Sequence, residues 1–255
     1  AYADRTEPAV WLAESLPAIK RALAQRAQSK PRALDLACGA GRNSGFLARE
    51  GFSVDGVDIS PIGLSRARQS AEQGLGDSTG GPATSDPAVL RRNRGDDSPQ
   101  DNGGHGGKGS NDSGNGGGHG NECAHGNGGG QATSNPVGDR IRFFEHDLDQ
   151  PLAPVLGSGR YDLIVVMRYL NPCLFTELPR LLRPGGEVMI EVHLKTSETV
   201  SGPSSDRFRV APGALADHMH AAGLETMLAL EGLIVDPDGK RMAVARYRGR
   251  LAYAD

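Results

Sequence analysis

Apolar residues recur along this chain in short, separated runs, and their period changes from run to run. Trp11, Leu12, Leu16, Ile19, Leu23 and Ala27 fall at spacings of one, three and four, as one face of a helix requires. Residues 1–30 therefore read as N-terminal helices, with Pro17 expected to split or kink the run. Residues 33–36 read as a short buried strand. After a glycine turn, residues 43–51 carry a helical pattern that Gly51 can close. Residues 52–57 form a second strand ending at Asp58. Ser60-Pro61 then starts a helix that runs to about Glu72: the Ser60 hydroxyl can accept from a free backbone N–H, and proline suits the first helical position.

Residues 141–144, 161–167 and 187–192 read as three further strands, the second a continuous apolar run after Asp162. A helix is expected over 174–182 despite Pro179, and a turn at Pro184-Gly185-Gly186. Residues 212–222 form a helix stopped by Gly223. Strands at 224–230 and 241–247 complete seven, and the last alternates apolar and polar positions, as an antiparallel strand does. Such alternation of strands and helices predicts an α/β fold: a mostly parallel seven-stranded sheet with an antiparallel last strand and helices on both faces.

Composition changes this picture in one stretch, from about residue 73 to 137. Between Gly103 and Gly130, 14 of 28 positions are glycine, and most others are Asn, Ser, His or Asp. A segment of that kind cannot bury enough apolar surface to offset its ordering entropy. It is expected to be a disordered surface insertion, with its histidines solvated. Removing it leaves residues for one domain, so 1–255 is read as a single domain.

The net charge of −3 gives no electrostatic argument for a nucleic-acid partner. The three cysteines, Cys38, Cys123 and Cys173, lack metal-ligand spacing, so neither a disulfide framework nor a metal site is expected. No signal peptide or membrane span is visible, and the expectation is a cytoplasmic protein, monomer or homodimer, without a membrane partner.

The candidate chemistry begins at Asp35-Leu-Ala-Cys-Gly-Ala-Gly-Arg42. A glycine turn between strand and helix lets a ligand approach the backbone at the carboxyl end of a sheet. The third glycine of the general dinucleotide pattern is Ser44 here, which weakens a nicotinamide or flavin reading. Asp58, about 20 residues on, can accept from both hydroxyls of a ribose, or only help cap the next helix. Asp147-Leu148 can pair a carboxylate and a backbone N–H with an adenine edge, or be an exposed loop acid.

Taken in order, these segments, with Tyr161-Asp-Leu-Ile164 and Leu182-Arg-Pro-Gly-Gly186, resemble the motifs of class I S-adenosylmethionine-dependent methyltransferases. Cys38-Gly-Ala-Gly-Arg-Asn-Ser44 is similar to the tellurite-resistance methyltransferase group. The resemblance covers roughly residues 30–70 and 139–250. It implies a Rossmann-like, doubly wound fold and S-adenosyl-L-methionine as cofactor. It further implies that Asp35 and the Gly39–Gly41 backbone hold the methionine part, with Ala37, Asn43 and Ile59 also among the cofactor-binding residues. Asp58 would hold the ribose, Asp147 and Leu148 the adenine, with Met167 and Arg168 beside the sulfonium. Ala37 stands where the family pattern has its first glycine, which implies a slightly shifted turn.

The acceptor side is less marked. Arg168, Tyr169, Glu191 and His193 lie near the carboxyl ends of the fourth and fifth strands. His193 could serve as a base or simply pack; Glu191 could bind a cationic substrate or pair with Arg168; Tyr169 could pack. Residues 195–209 are expected to form part of a lid. A small-molecule acceptor fits better than RNA or protein. The competing readings are a catalytically silent binding module and a nicotinamide-dependent oxidoreductase.

Overall fold

The computed structural model describes residues 6–25, 30–73 and 137–253. In chain order the elements are α1 (Val10–Ala24), β1 (Arg32–Leu36), α2 (Arg42–Arg49), β2 (Ser53–Asp58), α3 (Pro61–Glu72), β3 (Ile141–Glu145), α4 (Ala153–Leu156), β4 (Tyr161–Met167), α5 (Pro172–Phe175), α6 (Leu178–Leu181), β5 (Leu182–His193), α7 (Ala214–Ala221), β6 (Leu224–Val235) and β7 (Arg241–Leu251). Residues 74–136, which carry nearly all of the expected insertion and its histidines, lie outside the described residues.

Strand order is β3-β2-β1-β4-β5-β7-β6. The first five strands pair in parallel, and β7 pairs antiparallel with both β5 and β6. This is the doubly wound, Rossmann-like sheet that the alternation implied. Every residue of β4 is buried, as a central parallel strand covered on both faces requires. The period-2 alternation of side chains sends Leu34, Leu36, Ile164, Val166, Val188 and Ile190 to one face, with α5, α6 and α7. Ala33, Val54, Leu163, Val165, Met167 and Met189 go to the other, with α1 and α2.

Four local expectations are corrected. Of the split and the kink expected at Pro17, the split does not occur: α1 runs unbroken with Pro17 inside it. Burial of Trp11, Leu12, Leu16, Ile19 and Leu23 outweighs the roughly 3 kcal/mol that an internal proline costs. The helix expected over 174–182 is instead two short ones, because Pro179 is accommodated only in the first turn of α6. The Pro184-Gly185-Gly186 turn lies inside β5: pairing with β4 jumps from Tyr161↔Leu182 to Leu163↔Glu187, leaving a bulge. Strand β6 also continues past Leu230 to Val235, through Glu231-Gly232, because β7 pairs with it along that length.

Three acids in the amino half of the sheet are buried and paired. Asp55 accepts from Arg142, Arg32 and the Tyr161 hydroxyl. Asp162 accepts from the Arg32 backbone N–H and from Arg183. Glu187 takes Arg248 and Arg250.

Candidate active site

At its carboxyl end β1 delivers Asp35 into the interior, with no exposed surface. Its Oδ2 accepts from the Ser44 hydroxyl at 2.6 Å, while Oδ1 is buried without a partner. Burial pushes the Asp35 pKa up to about 6, opposed by the Ser44 hydrogen bond and the Arg42 charge. Ser44, where the dinucleotide pattern has glycine, thus holds the acid of the turn.

The chain then bends through left-handed backbone at Ala37, Gly39 and Gly41, with φ of 55°, 55° and 77°. Ala37 itself adopts the glycine-like conformation, at a cost of about 1 kcal/mol. The two glycines serve different purposes. A Cβ at Gly39 would meet nothing within 4 Å, so its space is open to a ligand. At Gly41 it would lie 2.8 Å from the Ala67 Cβ and 3.2 Å from Phe143, so this glycine lets α2 pack against α3 and β3. Asn43, also buried, accepts from the Ala9 backbone N–H at 2.9 Å and ties the start of α1 to the turn.

Asp58, at the end of β2, accepts from the Gly39 N–H through Oδ2 and the Ser60 N–H through Oδ1, both at 2.8 Å. Ser60 itself caps α3. Asp58 therefore fixes the glycine turn against the next crossover, and each oxygen keeps a further lone pair. Its neighbour Ile59 is 60% exposed. Beyond β3, Asp147 accepts from the Asp149 N–H at 3.0 Å and Leu148 is buried. Asn171 clamps this loop, donating to the Leu148 carbonyl and the Asp149 carboxylate.

At the ends of β4 and β5 the chemistry is of another kind. Arg168, with φ of 65°, donates to Glu191 and Asp236. Glu191 also accepts from Arg246 at 2.7 Å. Of its two sequence readings, the structure shows pairing: both its oxygens are occupied by guanidinium groups. His193 is buried, and its Nδ1 has no partner. Burial, with the Arg168 and Arg209 charges, pulls its pKa down to about 4, so the ring is neutral at pH 7. Burial and the nearby Asp35 and Asp58 push the Cys38 thiol well up, so it is no nucleophile.

These strand ends open on one cavity of about 1140 Å³. Of the residues singled out from sequence, Ala37, Gly39, Asn43, Met167, Arg168, Tyr169 and His193 line it. Asp35, Gly41, Asp58, Ile59, Asp147, Leu148 and Glu191 do not, although Asp58 is bonded to Gly39 of the turn that does, and Asp35 to Ser44 in the helix that follows it. Sequence reasoning missed Arg42, Asp149 and Asn171, and it missed Lys240, which the β6–β7 hairpin brings in. Ser201, Gly202, Pro203, Arg207 and Phe208, from the segment expected to act as a lid, complete the wall. That segment is closed at its base by the Leu194↔Val210 bridge. Arg209 holds it from within by donating to the Pro203 and Leu194 carbonyls.

A methyltransferase domain family matches residues 10–235, most of the chain. The chain belongs to that family. Solved structures agree with this methyltransferase domain in fold. A putative sarcosine dimethylglycine methyltransferase from Galdieria sulphuraria superposes with a TM-score of 0.56 at 16% identity, covering 96% of this chain and 84% of its own. Magnesium protoporphyrin IX methyltransferase from Synechocystis, with bound SAH, gives 0.52 at 14% identity, with coverages of 94% and 83%. TehB from Haemophilus influenzae gives 0.52 at 17% identity, with coverages of 92% and 62%. No curated protein matches the sequence. Among the described residues of the methyltransferase domain, no His, Cys, Asp or Glu group could hold a metal ion, and no helix is long and apolar enough to cross a membrane.

Proposed function

We propose that this methyltransferase domain binds S-adenosyl-L-methionine against the Ala37–Gly41 turn and methylates a small-molecule acceptor in the adjoining cavity. The observation that carries this reading is the open space at Gly39, flanked by two acids with unused acceptor capacity. A buried carboxylate with an orphaned oxygen, Asp35, suits a neighbouring ammonium group. Asp58, with lone pairs left on both oxygens, suits a pair of ribose hydroxyls. On this reading Asp147, Leu148 and Ile59 border the adenosine rather than the acceptor, and Asp149 and Asn171 hold that border in place.

The cofactor, when bound, supplies an electrophilic methyl group on a sulfonium. The protein's part is to align the acceptor with it and keep water out. On this reading Met167 gives an apolar wall at the junction of the two sites, and Tyr169 and Leu170, which pack against the core, line the cavity beside it. His193, neutral and short of a donor, can take a hydrogen bond from an acceptor's hydroxyl, thiol or N–H. Protonated Cys38 adds no competing nucleophile.

Calorimetric titration of S-adenosylhomocysteine tests this. We expect binding to the wild type, weakened about 10- to 100-fold by Asp58→Ala. Equal affinities would reject the ribose assignment, and NADH binding in its place would favour an oxidoreductase.

A further inference from the structure

The two outer strands of the sheet are built differently. At one edge β3 is 5 residues long, and its two exposed residues, Arg142 and Glu145, are charged. Short length and charge are how an open edge avoids pairing with another chain. At the other edge β6 is 12 residues long and contains neither lysine nor proline. Its pairing with β7 is interrupted near Met227, then runs unbroken from Leu228 to Val235. Among the described residues, no strand pairs with its outer side.

Charge does not guard this stretch. Its one ionisable residue, Glu231, is turned back to the start of α7, where Oε1 accepts from the Gly213 N–H at 2.8 Å. Met227, Leu230, Leu233 and Val235 are between 41% and 68% exposed. Together they form an apolar patch on the order of 300 Å², the size at which patches mark interaction sites. The apolar positions fall on both faces. Leu230 stands beside Arg246, whose guanidinium lies over Trp11 of α1. Leu233 stands beside Ala243, on the face that carries α7. A helix laid on the sheet covers one face only, whereas a strand added at the edge covers both and takes up the free backbone groups.

We infer that the outer edge of β6 pairs antiparallel with β6 of a second copy of this chain, about a two-fold axis at Gly232. β6 supplies what its own edge lacks: a strand with an open side and apolar residues toward both faces. A two-fold axis normal to the sheet keeps like faces together, so the contact is self-complementary. With the axis at Gly232, Leu230 lies opposite the partner's Ile234, Ala229 opposite the partner's Val235, and Glu231 opposite the partner's Leu233. No charges of one sign are opposed. An axis at Glu231 would set two carboxylates face to face, and one nearer Leu228 would run the pairing into the bulge. The two patches, with their strand backbones, bury on the order of 1,000 Å², which is what a specific interface needs. The pairing does not depend on what the cavity binds.

Sedimentation equilibrium of the full chain tests this. We expect a wild-type dimer at about 100 μM and association at least about tenfold weaker in Leu230→Lys/Val235→Lys. Both side chains are already exposed, so the variant keeps the far-UV circular dichroism of the wild type. Gly232→Cys should link to itself under mild oxidation. Antiparallel partners stand about 4.5–5.5 Å apart at Cα, within disulfide range, and a Cβ at Gly232 meets nothing within 4 Å of its own chain. Val235→Cys, whose counterpart lies far along the partner strand, should link no more than the wild type. A wild-type monomer at that concentration would overturn the inference and leave the edge to a strand of another protein. So would a dimer that survives the two lysines, or Val235→Cys linking as readily as Gly232→Cys.

Discussion

Buried acids in the amino half of the sheet and those at its carboxyl end are treated in opposite ways. Asp55, Asp162 and Glu187 each meet one or two guanidinium groups, and Asp55 also meets a phenol. Asp35 has one hydroxyl, an oxygen without a partner and a raised pKa. A buried charge left uncompensated costs stability, so the difference separates acids that hold the structure together from the one that the proposed function assigns to a ligand. Glu191 sharpens the rule. It lies at the carboxyl end, yet Arg168 and Arg246 saturate it as fully as the amino-half acids. By its partners it belongs with the structural acids.

The comparison breaks most visibly at Glu191. Glu191→Gln leaves two largely buried guanidinium groups facing a neutral amide, and should cost about 3–5 kcal/mol. Thermal denaturation should show a fall of roughly 10 °C. Unchanged stability with loss of methyl transfer would return Glu191 to the acceptor site.

The next effect depends on pH. The folded pKa of Asp35 is about 6, raised from 3.8. Its favourable contribution is therefore fully present below about pH 4 and is lost as pH rises through 6. Asp35→Asn should gain stability relative to wild type across that window, by about 2–3 kcal/mol, with no gain below it. His193 works the other way. Its pKa is lowered to about 4, so its contribution is present above 6.5 and is lost as pH falls. The two oppose each other in the wild type, and urea titrations from pH 4 to 7 should be flatter for it than for the variant.

The smallest contrast is within the turn. Gly41→Ala meets Ala67 and should cost about 2 kcal/mol of stability. Gly39→Ala should cost about 1 kcal/mol, all from its left-handed backbone, but should weaken S-adenosylhomocysteine binding the more of the two. The reverse pattern would mean that Gly41, not Gly39, faces the ligand.

The fold was legible because its signals are local. The apolar run 161–167, the Ser60-Pro61 start of α3 and the glycine turn each fix their own geometry through neighbours a few residues away. The side of the site near the turn was legible for the same reason. The far side was not, because it is assembled over long separations. Lys240 reaches the cavity only because β6 and β7 pair along their full lengths, and Arg207 only because Leu194 and Val210 close the loop. Nothing in the spacing of Glu191 could reveal that Arg246, 55 residues on, would take one of its oxygens. The split expected at Pro17 does not occur, because proline states a local cost while the burial that overrides it depends on the whole sheet.

Strands β2 and β3 are neighbours in the sheet although residues 59–140 separate them. A parallel crossover needs only a dozen or so residues. Closing a loop costs entropy that grows as the logarithm of its length, so this crossover costs at most about 1.4 kcal/mol more than one of roughly 17 residues. The search for that one pairing is slowed about tenfold at most. Length at this point of the chain is thus close to a free variable in folding. The strand ends that bear Asp58 and the glycine turn can keep their positions while the connection between β2 and β3 is lengthened or cut back.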